Sequence, residues 1–351
     1  MKQKGTWFNS AAISTSKGKK TLFYGGLILI PLLIAFFCIC IGRYTASPAE
    51  VAGVIGNGIM GRTDPTAVLT NVVWSIRLPR VLLALLVGGG LSVAGTAFQS
   101  LFANPLATPD TLGVAAGSSF GAVLALFFGI HLIGVQLSAL VAGFAAVLLT
   151  YLIGRSRGSG RGLTTVILAG MVISSLFSAL VSLVKFVADT DSQLPAITYW
   201  LMGSLSSASF YTLALGAPFI LIGVLLLALL RWRLNILPLS EDEVRSSGTN
   251  LNLLRFLTAL ASTMITAACV SMCGQVGWVG LLIPHICRMA FGNDNLILVP
   301  ASISFGAAFM VIIDTVARSA TAAEIPISIL TALIGAPFFI SLLRRTGGWN
   351  L

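Results

Sequence analysis

Leu22-Phe-Tyr-Gly-Gly-Leu-Ile-Leu-Ile-Pro31-Leu-Leu-Ile-Ala-Phe-Phe-Cys38-Ile-Cys40-Ile41 runs for twenty residues without a charged side chain. At about 1.5 Å per residue, a helix of that length crosses the roughly 30 Å of hydrocarbon in a bilayer. Lys2, Lys4, Lys17, Lys19 and Lys20 precede it with no acid among them, and no small-x-small cleavage site follows. The run therefore reads as a retained first span, not as a signal peptide. The rest of the 351 residues is as oily: 56% are apolar and only 9% are charged, where a soluble domain carries roughly 25%. With a mean hydropathy of +0.97, a soluble enzyme, a disulfide scaffold and a disordered chain are all excluded. The expected fold is an all-α polytopic membrane protein.

Working outward from that run, further spans are expected at 80–101, 112–129, 132–153, 163–187, 211–230, 253–273, 278–291, 298–318 and 327–343, ten in all. The polar stretch 43–74 opens with Ser47-Pro48-Ala-Glu50, which suits a short interfacial helix with proline in its first turn. The span at 278–291 is too short to cross alone, so it must be tilted, broken or packed inside protein. Ten spans put both termini on one side. On that side stand the tail lysines, Arg155, Arg157, Arg161, Arg231, Arg233, Arg245, Arg255, Arg288, Arg344 and Arg345, fifteen basic residues against six opposite. The positive-inside rule makes the fifteen cytoplasmic. The net charge of +10 is thus topology, and no nucleic-acid partner is implied.

Glycines recur at helical spacing in Gly88-Gly89-Gly90…Ala94-Gly95 and Gly113…Gly117…Gly121, which lets helix backbones approach closely in lipid. The five cysteines lie in or beside apolar runs with no C-x-x-C, and read as small packing residues. No phosphate-cradling G-x-x-x-x-G-K-[ST] occurs, and His131 and His285 are too separated for a metal site. No catalytic residue, metal or cofactor is expected. Asp314 is the acid well inside a span, and Arg318 lies one turn on, so the two are expected to pair rather than to carry protons.

Two stretches carry more information. In the polar loop 231–256, Ser240-x-x-Glu243 has capping-box spacing and Gly248 suits a helix stop. In Gly274-Gln-Val-Gly277-Trp-Val-Gly280-Leu-Leu-Ile-Pro284-His285-Ile-Cys-Arg288, three glycines at intervals of three and a proline break helical continuity at membrane depth. Such breaks survive only where protein or a water-filled cavity satisfies the freed backbone. His285 and Arg288, one turn apart, could meet phosphate headgroups or backbone carbonyls.

The string Gly277-Trp-Val-Gly280-Leu-Leu-Ile-Pro284-His285-x-x-Arg288 resembles the signature of the bacterial FecCD-type permeases, membrane subunits of ABC importers for iron–siderophore complexes, haem and cobalamin. Arg77-Leu-Pro-Arg80, Gln99-x-x-x-x-Asn104-Pro-Leu-Ala, Tyr199-Trp-Leu-Met-Gly203, Asp314-x-x-Ala-Arg318 and Glu324-Ile-Pro-Ile…Gly335-Ala-Pro337 follow in the same order as in that family.

The resemblance implies a type II ABC importer permease fold of ten helices, multi-pass in a bacterial cytoplasmic membrane with both termini inside. Residues 1–21 would be a cytoplasmic tail, 22–345 the permease domain and 346–351 a second tail. It implies a second permease subunit (identical or paralogous), two cytoplasmic ATPase subunits and an extracytoplasmic substrate-binding protein. Arg77, Arg80 and Arg318 match positions that receive acidic residues of the binding protein, where separated cationic patches fix orientation and speed encounter. Ser240, Glu241, Glu243, Val244, Arg245 and Gly248 match the coupling helix that inserts into the ATPase, although Ser240, Val244 and Ser247 depart from its usual Gly, Ala and Leu. Asn104 and Leu106, with Leu163 and Thr164, match the cytoplasmic gate. Gly277, Gly280, Pro284, His285, Arg288 and Asp314 are structural. The expected function is import of an iron–siderophore complex by alternating access, with haem or cobalamin as alternative cargo and a secondary symporter as the remaining alternative class. ATP hydrolysis would belong to the separate ATPase.

Overall fold

The computed structural model describes residues 17–62, 66–154, 163–239, 243–244, 248–321 and 323–345. Among these, regular structure is helical throughout. In chain order the helices are α1 (Lys17–Cys40), α2 (Pro48–Ile59), α3 (Val68–Leu101), α4 (Val114–Phe127), α5 (Leu132–Gly154) and α6 (Leu163–Val187). They continue as α7 (Gln193–Leu201), α8 (Phe210–Leu230), α9 (Leu251–Cys273), α10 (Val279–Phe291), α11 (Asn295–Ser319) and α12 (Ile327–Arg345). Each of the ten expected spans has its helix. Seven are long and apolar enough to cross a bilayer, while α4, α10 and α12 are shorter apolar helices.

The remaining two, α2 and α7, are short. Ser47 caps α2: its Oγ accepts from the Glu50 N–H, and the Glu50 carboxylate accepts from the Ser47 N–H at 2.8 Å. Pro48 fills the first turn, where its missing N–H costs nothing. One boundary differs from the sequence reading. The second span starts at Val68 rather than near 80, because α3 passes through a wide π turn at Asn71–Arg77. Pro79 offers no N–H to the carbonyl of Ser75, and the ladder absorbs that loss in the wide turn.

α3 is the hub. Of its most apolar window 83% is buried, against 22% for α6 at the periphery. It packs on α8, α9, α10 and α11, α1 lies against α11, and α4 pairs with α5 and α6. The close crossings follow the glycines. A Cβ at Gly88 would lie 2.2 Å from the Gly306 carbonyl oxygen, and one at Gly95 would lie 1.8 Å from that of Gly280. Backbones this near gain dispersion and interhelical hydrogen bonds, which drive association where lipid removes the hydrophobic advantage. Thr96 Oγ1 donates to Ser302 Oγ at 2.9 Å, and Ser100 Oγ bonds the Asn295 side chain, tying α3 to α11.

Candidate functional site

α10 has only 13 residues, about 20 Å of helix, and it does not begin at the end of the bundle. Gly280 meets α3 at Leu91 and Gly95, so the chain breaks at depth over residues 274–278. Protein groups meet part of the backbone around it, as a break inside a bilayer requires. Ser204 N–H donates to Cys273 O at 2.8 Å, Ile327 N–H to Gly203 O at 3.0 Å, and Ser328 Oγ to Met202 O at 2.6 Å. The ends of α7 and α9 and the start of α12 are thereby knitted together. Gly274 has φ +72° and lies against the Trp200 carbonyl, where no side chain fits.

Trp278 closes the break in a γ-turn: its φ is +70°, and Val279 N–H donates to Gly277 O at 2.9 Å. For a bulky residue this is strained, by about 1–3 kcal/mol. The indole is held against Gly335, whose missing side chain makes room for it, and beside Phe339.

Below this break lies a cavity of about 470 Å³, walled by parts of α3, α4, α6, α7, α9, α10 and α12. Asp110, Lys185, Thr266, Gln275, Trp278 and Ser328 are among its lining residues. Asp110 and Lys185 were not singled out from the sequence. Asp110 follows Asn104-Pro-Leu-Ala by a few residues and lies outside every span, so a search for acids inside spans passes over it. Its 3₁₀ turn, Pro109–Leu112, runs directly into α4 through Gly113 at φ +81°.

The arginines Arg77, Arg80 and Arg318 gather at one end of the bundle, with the C-terminus of α1. Arg77 is 5% and Arg80 6% exposed. Arg77 donates to the carbonyls of Ile39 at 2.8 Å and Tyr44 at 2.5 Å, and Arg318 to that of Cys38. Arg80 Nε straddles the Asp314 carboxylate at 2.8 and 3.1 Å, and its Nη1 meets Glu324 at 2.7 Å. The expected Asp314–Arg318 pair is present but long, with Arg318 Nε 3.8 Å from the carboxylate, and Arg80 adds a closer partner that the sequence did not show. The close α3–α11 crossing delivers Arg80 across the interface into better geometry than a same-helix neighbour achieves. The three guanidiniums are therefore committed largely within the chain, and Glu324, with a side chain 30% exposed, opens the cluster outward.

At the opposite end, Asn104 forms an Asx turn, with Leu106 N–H donating to its Oδ1 at 2.9 Å, and Leu106 is exposed. α6 starts at Leu163; the side chains of Leu163 and Thr164 lie outside the described residues. So do Ser240, Glu241 and Arg245. Glu243 and Val244 are helical, Val244 is buried, and Gly248 has φ +70°. Asn235 anchors the start of this loop, donating to Asp294 at 2.8 Å and accepting from Asn295 N–H at 2.9 Å. Arg288 Nε donates to Gln99 Oε1 at 3.1 Å, and the His285 ring sits against Phe338 and Phe339. Among the described residues no His, Cys, Asp or Glu cluster could hold a metal.

A model of the FecCD transport family matches residues 28–345. The molybdate import system permease protein of Haemophilus influenzae is 42% identical over 335 residues, 94% of this chain and 98% of that one. The hemin transport system permease protein of Yersinia pestis is 36% identical over 78% of this chain and 83% of its own length. Among solved structures, one described as an inward-facing metal-chelate type ABC transporter superposes with a TM-score of 0.82 at 40% identity. That match covers 92% of this chain and 98% of the other.

Proposed function

The chain belongs to the FecCD transport family, an ABC importer permease subunit and not an enzyme, and from that premise we propose that it carries a metal chelate, an iron–siderophore complex first, across a bacterial cytoplasmic membrane. The observation that carries this reading is the cavity of about 470 Å³ beneath the broken backbone. Its volume falls in the range of sites that enclose drug-sized ligands, about 300–1,000 Å³, far more than a tetrahedral oxyanion needs. Its wall mixes hydroxyl, amide and apolar groups with two charged side chains, Asp110 and Lys185, enough to contact a bulky chelate at a few points. Haem and cobalamin, both far bulkier than an oxyanion, are the alternative cargoes. The 42% identity to a molybdate permease favours a second reading, a small oxyanion.

Two permease subunits would enclose the path between them, two ATPases would dock at the end holding Asn104 and the 231–256 loop, and a binding protein would dock at the arginine end. ATP binding would move the loop bearing Glu243, Val244 and Gly248, together with Ser240, Glu241 and Arg245. The gate residues Asn104, Leu106, Leu163 and Thr164 would follow. Coupling then lies in differential contacts with the ATPase in its two states. Because Arg77, Arg80 and Arg318 are bonded internally, docking there would proceed by exchange, an acidic partner group replacing Glu324 on Arg80. Both termini would lie in the cytoplasm, with fifteen basic residues on that side.

Proteoliposomes containing the permease, its ATPase and its binding protein test the cargo. ATP-dependent accumulation of iron-55 siderophore, with molybdate left outside, is expected. Accumulation of molybdate alone would overturn the chelate reading.

A further inference from the structure

Most carboxylates fixed by this fold serve it. Asp314 and Glu324 hold Arg80, Glu50 caps α2, Asp189 accepts from Ser192, and Asp294 caps α11. Asp110 is different. Its turn is locked by other groups: Thr111 N–H and Oγ1 both donate to Thr108 O, Gly113 N–H donates to the Asp110 carbonyl, and Thr150 Oγ1 donates to Leu112 O at 3.0 Å. A Cβ at Gly170 would fall 2.0 Å from the Thr111 carbonyl oxygen, so α6 clamps the same turn from behind. Among the described residues nothing donates to the Asp110 carboxylate, which is exposed on the cavity wall. A rigidly mounted acceptor with no partner in its own chain is what a preorganised ligand contact requires.

We infer that Asp110 is a cargo-contacting residue that reads charge: it receives an ammonium or a cluster of N–H and O–H donors on the chelate and disfavours a bare oxyanion. The inference rests on the importer reading above and narrows its substrate class. Lys185, from α6, is the other charged residue on the cavity wall, and supplies a counter-contact for an anionic part of the same cargo. Protein around the turn desolvates the Asp110 carboxyl and pushes its pKa up to about 6, while its cavity-facing side stays within reach of water. The contact therefore weakens as pH falls through about 6. Among the described residues, Lys185 is the one further titratable side chain that lines the cavity.

The test is equilibrium retention of three probes by the permease–ATPase complex in lipid nanodiscs. The probes are ferrioxamine B, which carries a free ammonium, neutral ferrichrome, and molybdate. Wild type should prefer ferrioxamine B. Asp110→Asn should lose that probe by about tenfold, the size of one charge-assisted hydrogen bond, hold ferrichrome within about twofold and gain molybdate. Asp110→Glu should restore the preference. Acidification through about pH 6 should release ferrioxamine B from wild type and leave the Asn variant's retention flat. Wild type without a preference for the cation, equal retention by wild type and Asp110→Asn, or parallel loss of all three probes would overturn the inference. Retention needs no turnover, so a complex that fails ATP-driven uptake counts against the importer reading separately.

Discussion

At Gly95 a single methyl group decides whether two helices can touch. A Cβ there would lie 1.8 Å from a backbone oxygen of α10 that cannot swing aside. Gly95→Ala should therefore destabilise the protein by about 1–3 kcal/mol or more, the cost of overpacking, read as a lower midpoint in detergent unfolding. Gly25→Ala, with nothing within 4 Å, should be neutral or slightly stabilising, since alanine is the better helix former. Asp314 makes a second residue-scale test. It is fully buried and shared by Arg80 and Arg318, so Asp314→Ala should cost about 3–5 kcal/mol by leaving buried cations uncompensated. Replacing Arg80 and Asp314 together by Met and Leu should cost much less in the same unfolding assay. Asp314 and its same-helix partner Arg318 were legible in the sequence, but the closer partner, Arg80, was not. Helical spacing shows which residues share a face, and only the crossing of α3 with α11 shows that Arg80 reaches Asp314 first.

Among the elements, α2 and α10 show what local chemistry can and cannot announce. Ser47, Pro48 and Glu50 spell out a helix start within four consecutive residues, and the helix is there. Hydrogen bonds from Ser47 hold the Glu50 carboxyl below its usual range. A lowered pKa in the folded state means that this cap stabilises α2 above the ordinary carboxylate pKa and fades as pH falls through the lowered value. Hydrogen exchange should accordingly show the first turn of α2 fraying in acid, and Ser47→Ala fraying it at neutral pH as well, by about 0.5–2 kcal/mol. Persistent protection in Ser47→Ala would contradict the cap's role. For α10, the glycines and proline of 274–288 marked a break at depth, and its short length required burial. What filled the break was not legible. The seat of Trp278 on Gly335 and the cavity facing Asp110 are built from segments far apart in sequence, which meet only once α3, α6, α9 and α12 are packed.

Over the whole molecule, composition and charge asymmetry go furthest, because the bilayer permits so few solutions. Ten apolar segments, their alternation and their basic ends constrain the architecture before any contact is known, and the packed helices follow that order. Orientation remains a prediction of the charge count: a protease site added at either terminus should be cut in inside-out vesicles and protected in right-side-out ones. The opposite pattern would reverse the roles assigned to the two ends. Cargo lies beyond what composition can say, since it is set by a handful of cavity groups and by partner chains.

The most direct measurement is cargo accumulation against a gradient in proteoliposomes that hold the permease with its binding protein, with and without the ATPase. A driven permease accumulates cargo only when ATPase and ATP are both present, and is indifferent to an imposed proton gradient. Uphill accumulation by the permease without its ATPase would contradict that claim outright.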